Sequence, residues 1–267
     1  MRRGKVIEMS AADVERDPAP AVTKAIKILS LLAARQEPLT LSAIAKGIGA
    51  AKSSTSGICA ALVANDLIRK QNGGFALGPR LAELGGAYRA SFDEVRQFHQ
   101  YCAESKALRN ELVRLAMLDG TEVLYLARHE GHTPLRLAAN VGDRLPAAST
   151  AVGHAMLSLM SNDEVRARFS APAAFPILTE RSTSSIVELL QKLELTRERG
   201  YAVDNGEIRP GIVGFAVPVP RGGNEQPLAI GVSLIAAAAH DESHTTVLLD
   251  DLTAIAHGLS RDVRSTH

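Results

Sequence analysis

Cysteine is scarce in this chain. Cys59 and Cys102 are the two it has, and they form no disulfide pattern, which suits a reducing compartment. Cys59 falls inside a helical stretch and reads as a small packed residue. Long apolar runs are missing too, and no charged-then-apolar leader opens the chain, so no membrane partner is expected and the expected location is cytoplasmic. Neither Gly-x-Gly-x-x-Gly nor a P-loop occurs, which leaves nucleotide chemistry unsupported, and no cofactor is expected. Ser149-Thr150, His154 and Asp204 lack the Gly-x-Ser-x-Gly elbow of a nucleophile site, and His154 is only the i+4 helix neighbour of Thr150. His129-x-x-His132, with His154 later, lacks the paired cysteines or flanking ligands of a structural zinc site. Asp241, His244 and Asp250-Asp251 read as a solvated face. There is no internal repeat and no low-complexity tract. The expectation is therefore a protein that is not an enzyme and holds no metal.

What is present is an ordinary globular composition, 46% apolar and 22% charged over 267 residues, enough for one or two domains with a real core. The net charge of +1 hides an asymmetry. Residues 1–90 carry 13 Lys/Arg against 7 Asp/Glu, whereas the remainder carries 17 against 22. A basic front and an acidic back suggest that only the front meets nucleic acid.

The most informative stretch is 38–77, PLTLSAIAKGIGAAKSSTSGICAALVANDLIRKQNGGFAL. Leu41, Ile44, Ala45 and Ile48 recur with the period of a short amphipathic helix, and Thr40 stands at its N-cap. Gly47 and Gly49 then allow a tight turn. A second helix follows, with Ile58, Leu62 and Val63 directed inward and Lys52, Ser53, Ser54 and Ser56 near its start. Asn72-Gly73-Gly74 marks a hairpin after Arg69 and Lys70. Helix, turn, helix and basic hairpin make a winged helix-turn-helix. A recognition helix presents its N-terminal residues to the major groove, so Lys52, Ser53, Ser54, Thr55 and Ser56, with Thr40, are the expected contacts to bases and phosphates. Arg69 and Lys70 on the wing would add contacts to phosphate that ignore sequence.

Along the rest of the chain, residues 1–20 carry charge, Pro18 and Pro20 and read as a disordered tail. A first helix is expected over Ala21–Ala34, with Val22, Ala25, Ile26 and Leu29 on one face and Ile28 and Leu32 widening it. Pro79–Ala90 has Leu81, Leu84 and Tyr88 at helical spacing, and another helix is expected over Phe92–Lys106. Leu112–Leu118, Asp119-Gly120 and Glu122–Arg128 read as a hairpin, and Leu135, Leu137 and Ala139 as a third strand. Helices over Ala151–Met160 and Val187–Arg199 precede strands over Val213–Val219 and Leu228–Ile235, joined by a turn at Arg221-Gly222-Gly223-Asn224. A last helix covers Glu242–Leu259. Helices before, between and after antiparallel strands define an α+β domain.

Seven phrases in order, AVTKAIKILSLLA, LTLSAIAKGIGAAKSSTSGICAALVANDLIRK, FALGPRLAELGGAY, LDGTEVLYLARHEG, VGDRLPAASTAVGHAML, RERGYAVDNGE and GIVGFAVPV, cover nearly the whole chain. Together they resemble the IclR-type bacterial transcriptional regulators. The resemblance implies a winged helix-turn-helix domain over 21–78, a linker helix over 79–91 and a GAF-like effector-binding domain with a central antiparallel sheet over 92–267. It implies double-stranded operator DNA as a partner, a small organic acid as effector, and a homodimer or dimer of dimers. By resemblance, Ala151 and Val152, at the helix start after Leu145-Pro146, would offer N–H groups to the effector. Leu137 and Leu145 would line its apolar side, Asp204 would accept a hydrogen bond at the pocket edge, and Ile212, Gly214 and Ser233 would complete the wall. A turn role before Asn205-Gly206 competes for Asp204.

Three departures from the family pattern carry meaning. Gly214 stands where a cysteine or another small polar residue is frequent, Ile235 where a second pocket serine is, and Gly57 where the recognition helix often has arginine. The first two remove polar contacts that a very small oxoacid would need, because a buried polar atom left unpaired costs about 1–3 kcal/mol. They favour a larger, flatter effector such as an aromatic carboxylate. The expected function is a ligand-responsive transcription factor, a repressor of a catabolic operon; repression or activation depends on operator position, which the chain does not encode. The alternative is a small-molecule-binding or weakly catalytic domain whose winged helix serves protein interaction.

Overall fold

The computed structural model describes residues 17–35, 37–131, 139–222 and 225–264, with side chains up to residue 260. The chain divides into two compact units, 1–91 and 92–267.

The first unit contains α1 (Pro20–Ala33), α2 (Leu41–Gly47), α3 (Lys52–Ala64), β1 (Ile68–Gln71), β2 (Gly74–Leu77) and α4 (Arg80–Ala90). Pro20 opens α1, a position where its missing N–H costs nothing. The core is Ile28, Leu32, Ile44, Cys59, Leu62 and Ile68. Burying each of the isoleucine and leucine side chains contributes about 1.5–3 kcal/mol. The α1 face differs from the sequence expectation. Val22 and Ile26 are more than half exposed, while Ile28 and Leu32 form the buried stripe with Ala25 and Leu29 beside it. Periodicity alone could not choose between two apolar stripes on one helix. In α2, Thr40 accepts the Ala43 N–H at 3.2 Å, the expected N-cap. β1 and β2 pair antiparallel from Ile68↔Leu77 to Gln71↔Gly74. Asn72 at φ 50° and Gly73 at φ 74° supply the two left-handed residues of the tight hairpin turn.

The second unit contains α5 (Asp93–Glu104), β3 (Leu112–Asp119), β4 (Glu122–His129), β5 (Arg144–Pro146), α6 (Ala151–Leu157), α7 (Asn162–Arg168), α8 (Ile186–Arg199), β6 (Ala202–Asn205), β7 (Ile212–Val219), β8 (Leu228–Ile235), α9 (Ala236–Ala239) and α10 (Glu242–Arg264). The strands form one antiparallel sheet in the order β5-β4-β3-β8-β7-β6. One face is covered by α5 and α10, which bring Phe98, Cys102, Leu248, Leu252 and Leu259 onto Val113, Leu115, Phe215, Val217 and Ile230. The other face is built from small residues, Ala116, Ala202, Ala216 and Ala229, on which Val152, Ala155 and Met156 of α6 and Leu189 and Leu193 of α8 pack. The small residues explain how closely α6 lies on the sheet. A methyl group placed at Gly231 would stand 2.9 Å from Val152 Cγ1 and 2.9 Å from the Phe215 carbonyl oxygen.

Several elements were missed or shifted. β6 falls in a stretch read only as a binding motif, and β5 has just three residues, so neither is long enough to show a period of two. α7 was written in the sequence, since Ser161 and Glu164 form a reciprocal capping box. Leu137, most of the strand expected over Leu135–Ala139, His132, Gly223 and Asn224 lie outside the described residues. So do residues 1–16 of the expected tail.

Candidate functional site

In the first unit the start of α3 is the surface to consider. Lys52, Ser53 and Ser56 are exposed there, as are Arg69 and Lys70 on β1 and Thr40 at the head of α2. Two of the expected contacts are turned inward. Thr55 is fully buried, and its hydroxyl donates to the Ala51 carbonyl at 2.9 Å. Ser54 is half-buried and donates to the same carbonyl at 3.0 Å. Thr55 is therefore a packing residue. Helical geometry puts position 55 on the same side as Cys59 and Leu62, away from the exposed face that carries Ser53, Ser56 and Gly57.

In the second unit the register brings the expected effector residues together. Asp204 pairs with Gly214, and Gly214 with Ser233, so the three sit in one row across β6, β7 and β8 on a single face of the sheet. That face is the one α6 covers. A methyl group at Gly214 would lie 3.4 Å from Ala151 Cβ and 3.6 Å from Asp204 Cβ, which places the head of α6 directly over the row. The Thr150 hydroxyl takes the Gly153 N–H at 3.1 Å, leaving the N–H groups of Ala151 and Val152 as first-turn donors without an intrahelical acceptor. Room at Gly214 is thus one side-chain atom deep before Ala151 is touched. Ile235 pairs with Ile212 two residues along the same face and is half exposed, so it is a rim residue and not part of an enclosed wall. Leu145 is partly buried against the α6 cluster.

Asp204 belongs to the strand and to the turn at once. Its Oδ1 accepts the Glu207 N–H at 2.6 Å. Burial pushes its carboxyl up to about 7, opposed by the N–H groups of Glu207 and Ile208 and by the nearby Arg114. Behind the turn, Glu207 is buried and answered by Lys192 at 2.8 Å and Thr183 at 2.8 Å. His154 is fully buried within α6, with Nε2 2.7 Å from the Ala148 carbonyl, and burial lowers its pKa. His129 Nε2 lies 3.0 Å from the Arg109 carbonyl.

Sequence reasoning missed Arg114. It lies on β3 with its guanidinium 4.9 Å from the Tyr125 ring centroid, and Nη2 donates to the Ser233 hydroxyl. The available signal was an arginine at an inward position of the otherwise apolar strand LVRLAM.

A basic winged helix joined to a sheet domain with polar groups gathered under a short helix defines a two-part DNA-binding regulator with an effector domain. Comparison with known proteins says which one. Residues 21–72 match the IclR helix-turn-helix domain and residues 89–261 the bacterial transcriptional regulator IclR C-terminal domain, so the chain belongs to the IclR family. It is 27% identical over 223 residues to the HTH-type transcriptional regulator XynR of Escherichia coli, spanning 83% of this chain and 88% of that one. Among solved structures, the repressor BlcR of Agobacterium tumefaciens is 32% identical, with 91% of this chain and 97% of that chain covered and a TM-score of 0.57. An IclR homologue of Microbacterium hydrocarbonoxydans complexed with 4-hydroxybenzoate shares the fold at 21% identity, covering 92% of this chain and all (100%) of that one with a TM-score of 0.77. Among the described residues no helix is long and apolar enough to cross a membrane.

Proposed function

We propose that this regulator is a cytoplasmic repressor of a catabolic operon, released from operator DNA by a small organic acid, with an aromatic carboxylate the favoured class. The observation that carries the effector assignment is the row Asp204–Gly214–Ser233, a line of polar and small groups beneath the head of α6 inside an otherwise alanine-lined face. Gly214, which brings no polar group of its own, and the apolar rim of Ile212 and Ile235 favour a flat apolar body over a very small oxoacid. Lys52, Ser53 and Ser56 at the exposed start of α3, with Arg69 and Lys70, are the proposed DNA contacts. Two copies, or a dimer of dimers, would present paired winged helices to a palindromic or repeated operator. The exposed apolar side chains of Val22, Ile26 and Leu84 support such pairing.

The test is fluorescence anisotropy with the operator from the protein's own promoter region, titrated with salt and then with aromatic acids. Phosphate contacts make log K fall steeply with log salt. A coupling of about 1–3 kcal/mol between the sites lowers affinity about 5–150-fold when effector is added. A flat salt response would instead favour a winged helix used for protein interaction.

A further inference from the structure

We infer that Arg114 is the carboxylate anchor of the effector site, and that the effector is a monocarboxylate bearing a hydroxyl or N–H donor that reaches Asp204. The inference rests on the effector-domain reading above and names the chemistry of that site.

Three observations carry it. First, Arg114 lies in the right place: it donates to Ser233, whose partners in the sheet row are Gly214 and then Asp204. Its own register partner on β8 is Gly231, the residue on which Val152 of α6 rests. Second, its charge has no carboxylate at ion-pair distance among the described residues, and its Nε is buried with no hydrogen-bond partner. Buried polar atoms are paired as a rule, and an exception calls for an explanation, a bound group being one. Third, a neighbouring arginine shows what compensation looks like here. Arg128 faces Arg114 across β3 and β4, and it is neutralised by Glu130 at 2.8 Å and held by Asn140 at 2.9 Å. Two like charges directly opposite each other repel, and the fold answers one of them. Arg114 keeps the Ser233 hydroxyl and the Tyr125 ring, neither of which carries a formal negative charge, and the nearby Asp204 carboxyl, not at ion-pair distance, is itself pushed toward the neutral form by burial.

The shape of the guanidinium sets the ligand class. Arginine presents five donors in a rigid fork that matches a carboxylate, and the Tyr125 ring near its Cζ takes up none of them as a conventional acceptor. The Ser149 hydroxyl, two residues before Ala151, is also buried without a partner, so the chain just ahead of α6 has spare hydrogen-bonding capacity. At the far end of the row the Asp204 carboxyl, lifted by burial to about 7, offers an oxygen to a ligand hydroxyl or N–H, and a second carboxylate would be buried there without an arginine of its own. Selection of a monocarboxylate over a dicarboxylate follows from these two ends.

The experiment is differential scanning fluorimetry of the full chain, followed by calorimetry for every probe that shifts the melting temperature. The probes are 4-hydroxybenzoate and lactate, the primary amides of both, and succinate, each up to about 10 mM. The expected result is that at least one hydroxy acid binds at least tenfold more tightly than its amide, that succinate does not bind, and that Arg114→Gln abolishes the preference for acid over amide. Arg114→Lys should recover part of the preference, which a purely structural role would not do. If Arg114→Gln fails to fold, the acid–amide comparison on the unaltered chain still decides, with Ser233→Ala expected to weaken the acid selectively. Equal binding of acid and amide, or undiminished binding of the acid by Arg114→Gln, overturns the anchor and leaves a ligand-responsive regulator. Silence of every probe, acid and amide alike, overturns the anchor; operator release by some other metabolite would then show that the regulator reading survives it.

Discussion

Asp204 and Glu207 are tied side chain to backbone: Asp204 Oδ1 accepts the Glu207 N–H at 2.6 Å, and the turn so closed carries the chain out of β6. One residue thus stands near the end of a strand, in the polar row under α6, while the other enters an ion pair with Lys192.

The titration of Asp204 should be visible in stability. Burial lifts its carboxyl from 3.8 to about 7. The folded chain therefore holds more protons than the unfolded chain between these values, and this residue's contribution declines as pH rises through the window and is flat above it. Asp204→Asn should remove the decline, gaining on the unaltered protein by up to about 4 kcal/mol at pH 8 compared with pH 4, an upper bound from the shift. Burial lowers the His154 pKa from 6.5, so the sign there is opposite: its contribution is lost as pH falls. Urea melts of both proteins from about pH 4 to about pH 8 read the difference, and parallel profiles would refute a raised Asp204.

Lys192 neutralises Glu207 at 2.8 Å and Glu188 at 3.0 Å, and the Glu207 side chain is only 6% exposed. Lys192→Met should leave that carboxylate buried and unanswered, at a cost of about 3–5 kcal/mol. Adding Glu207→Gln should restore a large part of the loss. Chemical denaturation of the double-mutant cycle measures the coupling, and additive losses would mean that the pair is not coupled.

On the DNA side the prediction separates Lys52 from Thr55. Lys52→Ala should lower the slope of log K against log salt by about 0.9, the loss of one phosphate contact. Thr55→Val, which replaces a hydroxyl already bonded to Ala51 within the buried face of α3, should leave the slope unchanged. A slope altered by Thr55→Val but not by Lys52→Ala would reverse the assignment of the helix faces.

Two glycines should answer in opposite directions. A Cβ at Gly57 meets open space on the exposed side of α3, so Gly57→Ala should stabilise the winged helix by about 1 kcal/mol. Gly231→Ala should destabilise the sheet domain by about 1–3 kcal/mol, because its methyl group would press on Val152 and on the Phe215 carbonyl. Thermal melts of the two variants distinguish the sites.

The chain by itself determined the winged helix, the α+β character of the second unit and most helix positions. These follow from local chemistry: Thr40 at an N-cap, Asn72-Gly73 at a hairpin turn, apolar residues at helical spacing in α10, and continuous apolar runs in β3 and β8. What the sequence could not decide was which of two plausible faces is inside. Val22 and Ile26 are as apolar as Ile28 and Leu32, and Thr55 is as polar as Ser53, yet burial sorts them the other way. Burial depends on what a neighbouring element brings, and that information is spread over distant positions. The same is true of the proposed effector site. Asp204, Gly214, Ser233 and Arg114 come from four strands, and only antiparallel register sets them on one face beneath α6. Motifs name residues one segment at a time, whereas an arginine inside the sheet with no carboxylate at ion-pair distance among the described residues exists only once the strands are paired.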